Sequence, residues 1–282
     1  MTVATLSLRS SKTKFRLAGG AQPLILLPVS VNERGPFDFI LDTGAGTSLL
    51  SSDLAKQLDV KIVGSKEGQS AGGKVSVSLA KVDSLAVGET KLDDVDFGIV
   101  DLSHIGRTIG ATIDGDLGYN FLKHFRVTIN YRDCELRLED PKRAESFARG
   151  TQTEVPIRLA NPAKPLIIVD VHANGHGPFQ FAIDTGTSTT AITPELAKQL
   201  GVETSPVGAG TTGGAPVDFH AGSLRSFQLG GAKIDDMAVV VADFFTMLNA
   251  AIGAKLDGIV GYNFLRNYKV VIDYPGESLA LF

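Results

Sequence analysis

Apolar residues recur along this chain mostly with the two-residue period of a β-strand. Val75-Ser76-Val77-Ser78-Leu79 and Phe125-Arg126-Val127-Thr128-Ile129 alternate apolar and polar positions, as half-buried strands do. Leu24 to Val31 and Phe37 to Leu41 are more continuously apolar, and so are Leu166 to Val171 and Phe179 to Ile183. Those runs predict strands buried on both faces. Between them lie Asn32-Glu33-Arg34-Gly35 and Asn174-Gly175-His176-Gly177, residues that favour tight turns, so each pair of runs predicts a hairpin. Helical spacing is brief. Thr193 as N-cap, Pro194 at the first helical position, Leu196 and Leu200 on one face and Gly201 as the stop predict one short helix. Its counterpart begins at Ser51. Asp243 to Lys255, around Phe244-Phe245, predicts a second short helix that differs between the halves. The pattern as a whole is all-β, and the 31 glycines fit a tightly turning chain.

The same pattern occurs twice. Phe15-Arg16-Leu17-Ala18 corresponds to Ile157-Arg158-Leu159-Ala160, and Leu54-Ala55-Lys56-Gln57-Leu58 to Leu196-Ala197-Lys198-Gln199-Leu200. Lys91-Leu92-Asp93-Asp94 matches Lys233-Ile234-Asp235-Asp236. One inserted residue then shifts the offset, so that Gly118-Tyr119-Asn120-Phe121-Leu122 falls on Gly261-Tyr262-Asn263-Phe264-Leu265. A unit this long exceeds the ~20–50 residues of a solenoid repeat and reads as a duplicated domain. Two lobes are expected, at residues 1–146 and 147–282.

Composition narrows the function classes. Hydrophobic content of 43% suffices for a core in each lobe, and a net charge of −4 offers no basic field for nucleic acid. No run approaches the ~18 apolar residues of a membrane span. Met1 to Ser10 lacks the basic stretch and apolar core of a secretory signal. The compartment stays open: cytoplasmic, or periplasmic or secreted if a signal has been trimmed. Cys134 is the only cysteine, so an intramolecular disulfide is excluded.

The chemistry lies in a tripeptide. Asp42-Thr43-Gly44 and Asp184-Thr185-Gly186 occupy the same place in both repeats, after Gly35-Pro36-Phe37-Asp38-Phe39-Ile40-Leu41 and Gly177-Pro178-Phe179-Gln180-Phe181-Ala182-Ile183. Two equivalent aspartates, each ending an apolar strand, can meet across a pseudo-twofold axis. Peptide hydrolysis without a metal or a protein nucleophile needs a base to activate water and an acid to protonate the leaving amine. Two carboxyls at close range do both, because like charges so near cannot both ionise and a proton is shared. The glycine after each Asp-Thr leaves room for close approach to the backbone. Each threonine hydroxyl is placed to brace one loop against the other. A lone Asp-Thr-Gly arises by chance in roughly one chain in ten of this length, given ordinary composition. Two in register do not.

With these residues the chain resembles the pepsin and retropepsin families of aspartic proteases. Asp42-Thr43-Gly44-Ala45 is similar to the retropepsin motif, and Asp184-Thr185-Gly186-Thr187-Ser188 to the second-lobe motif of pepsins. Asp257-Gly258-Ile259-Val260-Gly261 fits the apolar pair and glycine that those families place beneath the active loop. Asp114-Gly115-Asp116-Leu117-Gly118 fits less well, since Asp116 stands where an apolar residue is usual. The resemblance implies a bilobal pepsin-like fold, an aspartic-type endopeptidase with catalytic Asp42 and Asp184, and supporting loops at Thr43, Gly44, Ala45, Thr185, Gly186 and Thr187. It also implies flaps at Gly72-Gly73 and Gly213-Gly214, without the pepsin-type flap tyrosine. The implied substrate is an extended peptide or protein, with no cofactor and no metal, and a monomer would suffice. In relatives, hydroxyls after both motifs accompany strongly acidic optima and alanines milder ones, so Ala45 with Thr187 implies a mildly acidic optimum. The alternative is an inactive peptide-binding module using the same cleft.

Other signals are weaker. Gly208-Ala209-Gly210-Thr211-Thr212-Gly213 has dinucleotide-binding spacing, but Gly214-Ala215-Pro216-Val217 is no helix start, so a flap is the better reading. His172 and His176 sit beside a turn and read as surface residues. The Asp93-Asp94 and Asp235-Asp236 pairs read as solvated turn residues.

Overall fold

The computed structural model describes residues 10–70, 73–143, 151–162, 164–212 and 215–282. Leu24–Val31 runs antiparallel to Arg34–Leu41, and Lys164–Ala173 to His176–Ile183, so both predicted hairpins form. Their turns put Asn32 at φ 50 and Asn174 at φ 52, the left-handed conformation that asparagine tolerates better than most residues.

Each half folds around an eight-stranded sheet. The first runs in the order Arg16–Ala18, Leu24–Val31, Arg34–Leu41, Gly115–Leu117, Leu49–Ser51, Thr90–Val100, Gly73–Val87 and Ile62–Ser70. The second repeats that order from Arg158–Asn161 to Ser205–Thr212. The chain is thus an all-β, bilobal protein. One feature of each sheet positions the site. The short strands Gly115–Leu117 and Gly258–Val260 lie parallel to the strands that lead into the two Asp-Thr-Gly motifs.

A third sheet joins the halves. Its order is Ser11–Lys14, Glu135–Glu139, Arg126–Asn130, Lys269–Asp273, Ser278–Leu281 and Thr153–Pro156, three strands from each side. At its centre Thr128 faces Val271, and those two residues are partners in the internal repeat. The pseudo-twofold axis passes between them. Two steps away, Arg126 faces Asp273 and donates from Nη2 at 2.7 Å and from Nε at 3.0 Å, with both side chains nearly buried. Removing one partner strands the other charge, so Arg126→Leu is expected to cost about 3–5 kcal/mol of unfolding free energy. Urea titration at neutral pH measures it, and a loss below ~1 kcal/mol would show that the pair contributes little.

Both capped helices form: Ser52–Gln57, where Ser51 accepts from the Leu54 N–H, and Pro194–Gln199, where Thr193 accepts from the Leu196 N–H. The helix expected after Asp243 is Phe245–Ile252. It has a counterpart after all in Ser103–Ile109, and both end on a left-handed glycine, Gly110 and Gly253. The single turns Tyr119–Leu122 and Tyr262–Leu265 are too short for periodicity to reveal. The paired aspartates differ from expectation. Asp93-Asp94 and Asp235-Asp236 lie inside strands, and Asp94 and Asp236 adopt positive φ where the pairing skips one residue. They mark a local break in the ladder, one residue unpaired on each strand with the register unshifted, rather than turns. His172 and His176 are exposed, as expected.

One apolar core runs through both halves, with Phe39, Phe121, Phe181 and Phe264 fully buried in it. Each half adds a smaller cluster against its short parallel strand. In the second half this cluster includes Leu166, Ile168, Ala182 and Ile259. In the first it includes Leu24, Leu26 and Ile40. The first-half residue equivalent to Ile259 is Asp116.

Candidate active site

Asp42 and Asp184 each follow the last residue of an apolar strand. Their N–H groups donate to Leu117 O and Val260 O, both at 3.1 Å, which extends the parallel pairing by one bond. The chain then turns on the side chain itself: Gly44 N–H donates to Asp42 Oδ1 at 2.7 Å, and Gly186 N–H to Asp184 Oδ1 at 2.8 Å. The two loops meet face to face. A Cβ built on Gly44 would lie 2.7 Å from Cγ of Asp184, and one on Gly186 would lie 2.8 Å from Cγ of Asp42. The room expected for a ligand beside these glycines is therefore filled by the opposite aspartate. Each carboxyl thus packs against the loop that carries the other.

The threonines lock this arrangement. Thr43 Oγ1 donates to Ile183 O at 2.9 Å and Thr185 Oγ1 to Leu41 O at 2.7 Å. Each hydroxyl also accepts the other threonine's N–H at 3.1 Å. Both are buried, at 1% and 2% exposure, so the four bonds are shielded from water. Thr187 Oγ1 donates to Asp184 Oδ2 at 2.9 Å, while Ala45 at the matching place has no such group.

A supporting layer lies beneath. Ser48 Oγ donates to Asn120 Oδ1 at 2.8 Å and accepts from Gly118 N–H at 3.0 Å. Thr190, Asn263 and Gly261 repeat this at 2.8 and 3.1 Å. Tyr119 N–H reaches Ala45 O and Tyr262 N–H reaches Thr187 O, each at 2.8 Å, tying both active loops to the following turn. The Gly-Tyr-Asn repeat in the sequence marks these residues, but repetition alone does not say what they hold.

Burial is the main influence on the charges. It pushes Asp42 well above the usual carboxylate range, helped by the nearby Asp116 charge. Burial and the Asp42 charge push Asp184 up to about 8, against the lowering effect of the Thr187 hydroxyl. Asp116 is buried too and is likewise pushed up to about 8. The phenols of Tyr131 and Tyr274 are raised by burial, Tyr131 next by Tyr262 and Asp184, Tyr274 next by Asp42. The pair of loops thus favours a partly protonated state near neutral pH.

Of the expected flap residues, Gly73 opens the strand Gly73–Val87, opposite Ser70. Gly72, Gly213 and Gly214 lie outside the described residues. The glycine-rich segment Ser205–Thr212 is a strand paired antiparallel with the next strand, Ala215–Leu229, so no helix follows it to hold a pyrophosphate. Two surface hollows on the second half, one around Pro194, Val217 and His220 and one around Asn174, Gly201 and Arg225, touch neither aspartate. Among the described residues, no helix is long and apolar enough to cross a membrane.

Fold and site together define a duplicated all-β protein that sets one Asp-Thr-Gly loop of each half against the other. A family model described as aspartyl protease matches the chain twice, over residues 27–121 and 169–264, and the chain belongs to that family. The two matches fall on the two repeats, as two retropepsin-like lobes. No curated protein matches the chain.

Proposed function

We propose that the protein is an aspartic endopeptidase whose catalytic dyad is Asp42 and Asp184. The reading rests on one observation above others: each buried aspartate packs on the other motif's glycine, so that the two Asp-Thr-Gly loops bring their carboxyls together. In the monoprotonated pair, the ionised carboxylate takes a proton from a water bound between them as that water attacks the scissile carbonyl. The neutral carboxyl supports the carbonyl oxygen. The proton gained by the base then passes to the departing amine nitrogen as the C–N bond breaks. The substrate is an extended peptide between lobes 1–146 and 147–282, making β-like backbone hydrogen bonds. The paired strands Ile62–Ser70 with Gly73–Val87 and Ser205–Thr212 with Ala215–Leu229 act as flaps. One chain supplies both aspartates, so a monomer suffices.

Incubation with a peptide library, with and without pepstatin titration, tests the reading. Cleavage that pepstatin stops is expected, with specific activity unchanged on dilution. Pepstatin binding without cleavage at any pH would favour the inactive peptide-binding module instead.

The Thr187 hydroxyl donates to Asp184 and so stabilises its ionised form. Thr187→Ala raises the pKa of the ionised member of the pair. The acidic limb of kcat/KM is therefore expected to move to higher pH by about one unit, the value of one hydrogen bond to a charged group. A pH–rate series on both proteins measures it. A limb that stays in place or moves down would refute the role of the hydroxyl.

A further inference from the structure

Four of the five tyrosines meet in two pairs, and each pair joins one half to the other. Tyr131 follows the strand Arg126–Asn130 and Tyr274 follows Lys269–Asp273, the strands that pair antiparallel at the pseudo-twofold axis. Their register sets Asn130 opposite Lys269 and Arg126 opposite Asp273, so the end of each strand lies beside the start of the other. Shortly before each start comes the one-turn helix of that half, Tyr119–Leu122 or Tyr262–Leu265. Register therefore carries each strand-end tyrosine into the opposite half. The Tyr131 ring stands edge-on to Tyr262, with centroids 5.5 Å apart and planes at 74°, and Tyr274 stands likewise to Tyr119, at 5.5 Å and 72°. Tyr131 and Tyr274 are each only 6% exposed. Neither phenol oxygen has a hydrogen-bond partner among the described residues, so it is the ring that holds each side chain in place.

The rings they press on lead to the two active loops. Tyr262 N–H donates to Thr187 O and Tyr119 N–H to Ala45 O, each at 2.8 Å, and these acceptors lie in the loops of Asp184 and Asp42. Each of the two rings also has a cation over it from its own half, Arg266 at 5.6 Å from the Tyr262 centroid and Lys123 at 5.9 Å from that of Tyr119. We propose that Tyr131 and Tyr274 are positioning residues that act across the halves. The Tyr131 ring fixes the loop of Asp184 through Tyr262, and the Tyr274 ring fixes the loop of Asp42 through Tyr119. The kinetic consequence of the inference rests on the dyad reading above.

This role differs from that of the threonines. Thr43 and Thr185 lock the two loops to each other, which fixes their spacing. The tyrosines tie the locked pair to the sheet that joins the halves, so that it does not shift as a unit. Neither half then completes its own active loop, and the site is finished only when the halves dock.

The crossing makes opposite forecasts for two leucine variants. In backbone amide spectra of the full chain, Tyr131→Leu should displace the resonances of Gly186 and Thr187 more than those of Gly44 and Ala45, although residue 131 belongs to the first half. Tyr274→Leu should do the reverse. Each is expected to lower kcat by up to about 10²-fold, as a displacement near 1 Å does, with KM little changed. Phenylalanine in either place keeps the ring and removes only an unpaired hydroxyl, so it should restore kcat and leave the melting temperature level or higher. Phe245→Leu, in the smaller cluster of the second half, is the control and should lower the melting temperature while sparing kcat. Displacements confined to the loop of the variant's own half, or equal in both loops, overturn the proposal. So does a phenylalanine variant as slow as the leucine one, or a Phe245→Leu that loses as much kcat as the tyrosine variants. Should the wild type cleave nothing, the dyad reading fails and the amide displacements alone decide the crossing. Should a leucine variant not fold, methionine at the same place, which fills the space without a ring, is read instead.

Discussion

Asp42→Asn and Asp184→Asn are each expected to lower kcat for peptide hydrolysis by at least about 10²–10⁴-fold while leaving the fold intact. An amide neither accepts the proton of the attacking water nor delivers one to the leaving amine, so the remaining carboxyl cannot do both tasks. The backbone bond from Gly44 N–H or Gly186 N–H is still accepted by the amide oxygen, which keeps the turn. Burial raises both carboxyls and the Asp42 charge raises Asp184 further, so removing one charge relieves a cost that grows with pH. At neutral pH the melting temperature should stay or rise. Steady-state kinetics beside thermal unfolding separate the two effects. A clean preparation of either variant with near-wild-type activity would end the dyad assignment.

Gly44→Ala and Gly186→Ala should be nearly as damaging, for a different reason. Their backbones are not in the left-handed region, so strain in φ is not the cause. The obstacle is the other lobe: the new methyl would lie 2.7 Å from Asp184 Cγ or 2.8 Å from Asp42 Cγ. That neighbour cannot swing aside, because the carboxyl is pinned by its own loop's N–H and the loop by the threonine bonds. The loops must part. Overpacking of this kind costs about 1–3 kcal/mol, and a shift near 1 Å costs about 10²-fold in rate. Gly64→Ala, where the nearest atom is 3.9 Å away, is the control and should change neither. Equal, small effects at all three positions would mean that the loops yield and the close packing is not limiting.

Much of this architecture was legible because its causes are local. Alternation marks the strands, Ser51 and Thr193 mark helix starts, and Asn32 and Asn174 mark turns whose conformation needs such residues. The repeat then doubled every signal, so that two aspartates in register pointed to one site. Asp94 and Asp236 were read as turn residues because an aspartate at positive φ suits a turn, and only the strand pairing places them inside a ladder. The one-turn helices at Tyr119 and Tyr262 left no periodicity to read.

What the sequence by itself determined is the duplication, the all-β character and the identity of the paired aspartates, since pattern and composition within short windows suffice for each. The tertiary structure alone decided that Thr43 and Thr185 exchange bonds across 142 residues and that Thr128 and Val271 straddle the axis. It likewise decided that each motif's glycine is occupied by the opposite carboxyl. Asp116 is the sharpest case. In the sequence it is a poor match to an apolar position, and only strand register, which puts it opposite Ile40, shows that this carboxyl is buried. Contacts between distant residues depend on register and packing, and no local window contains them.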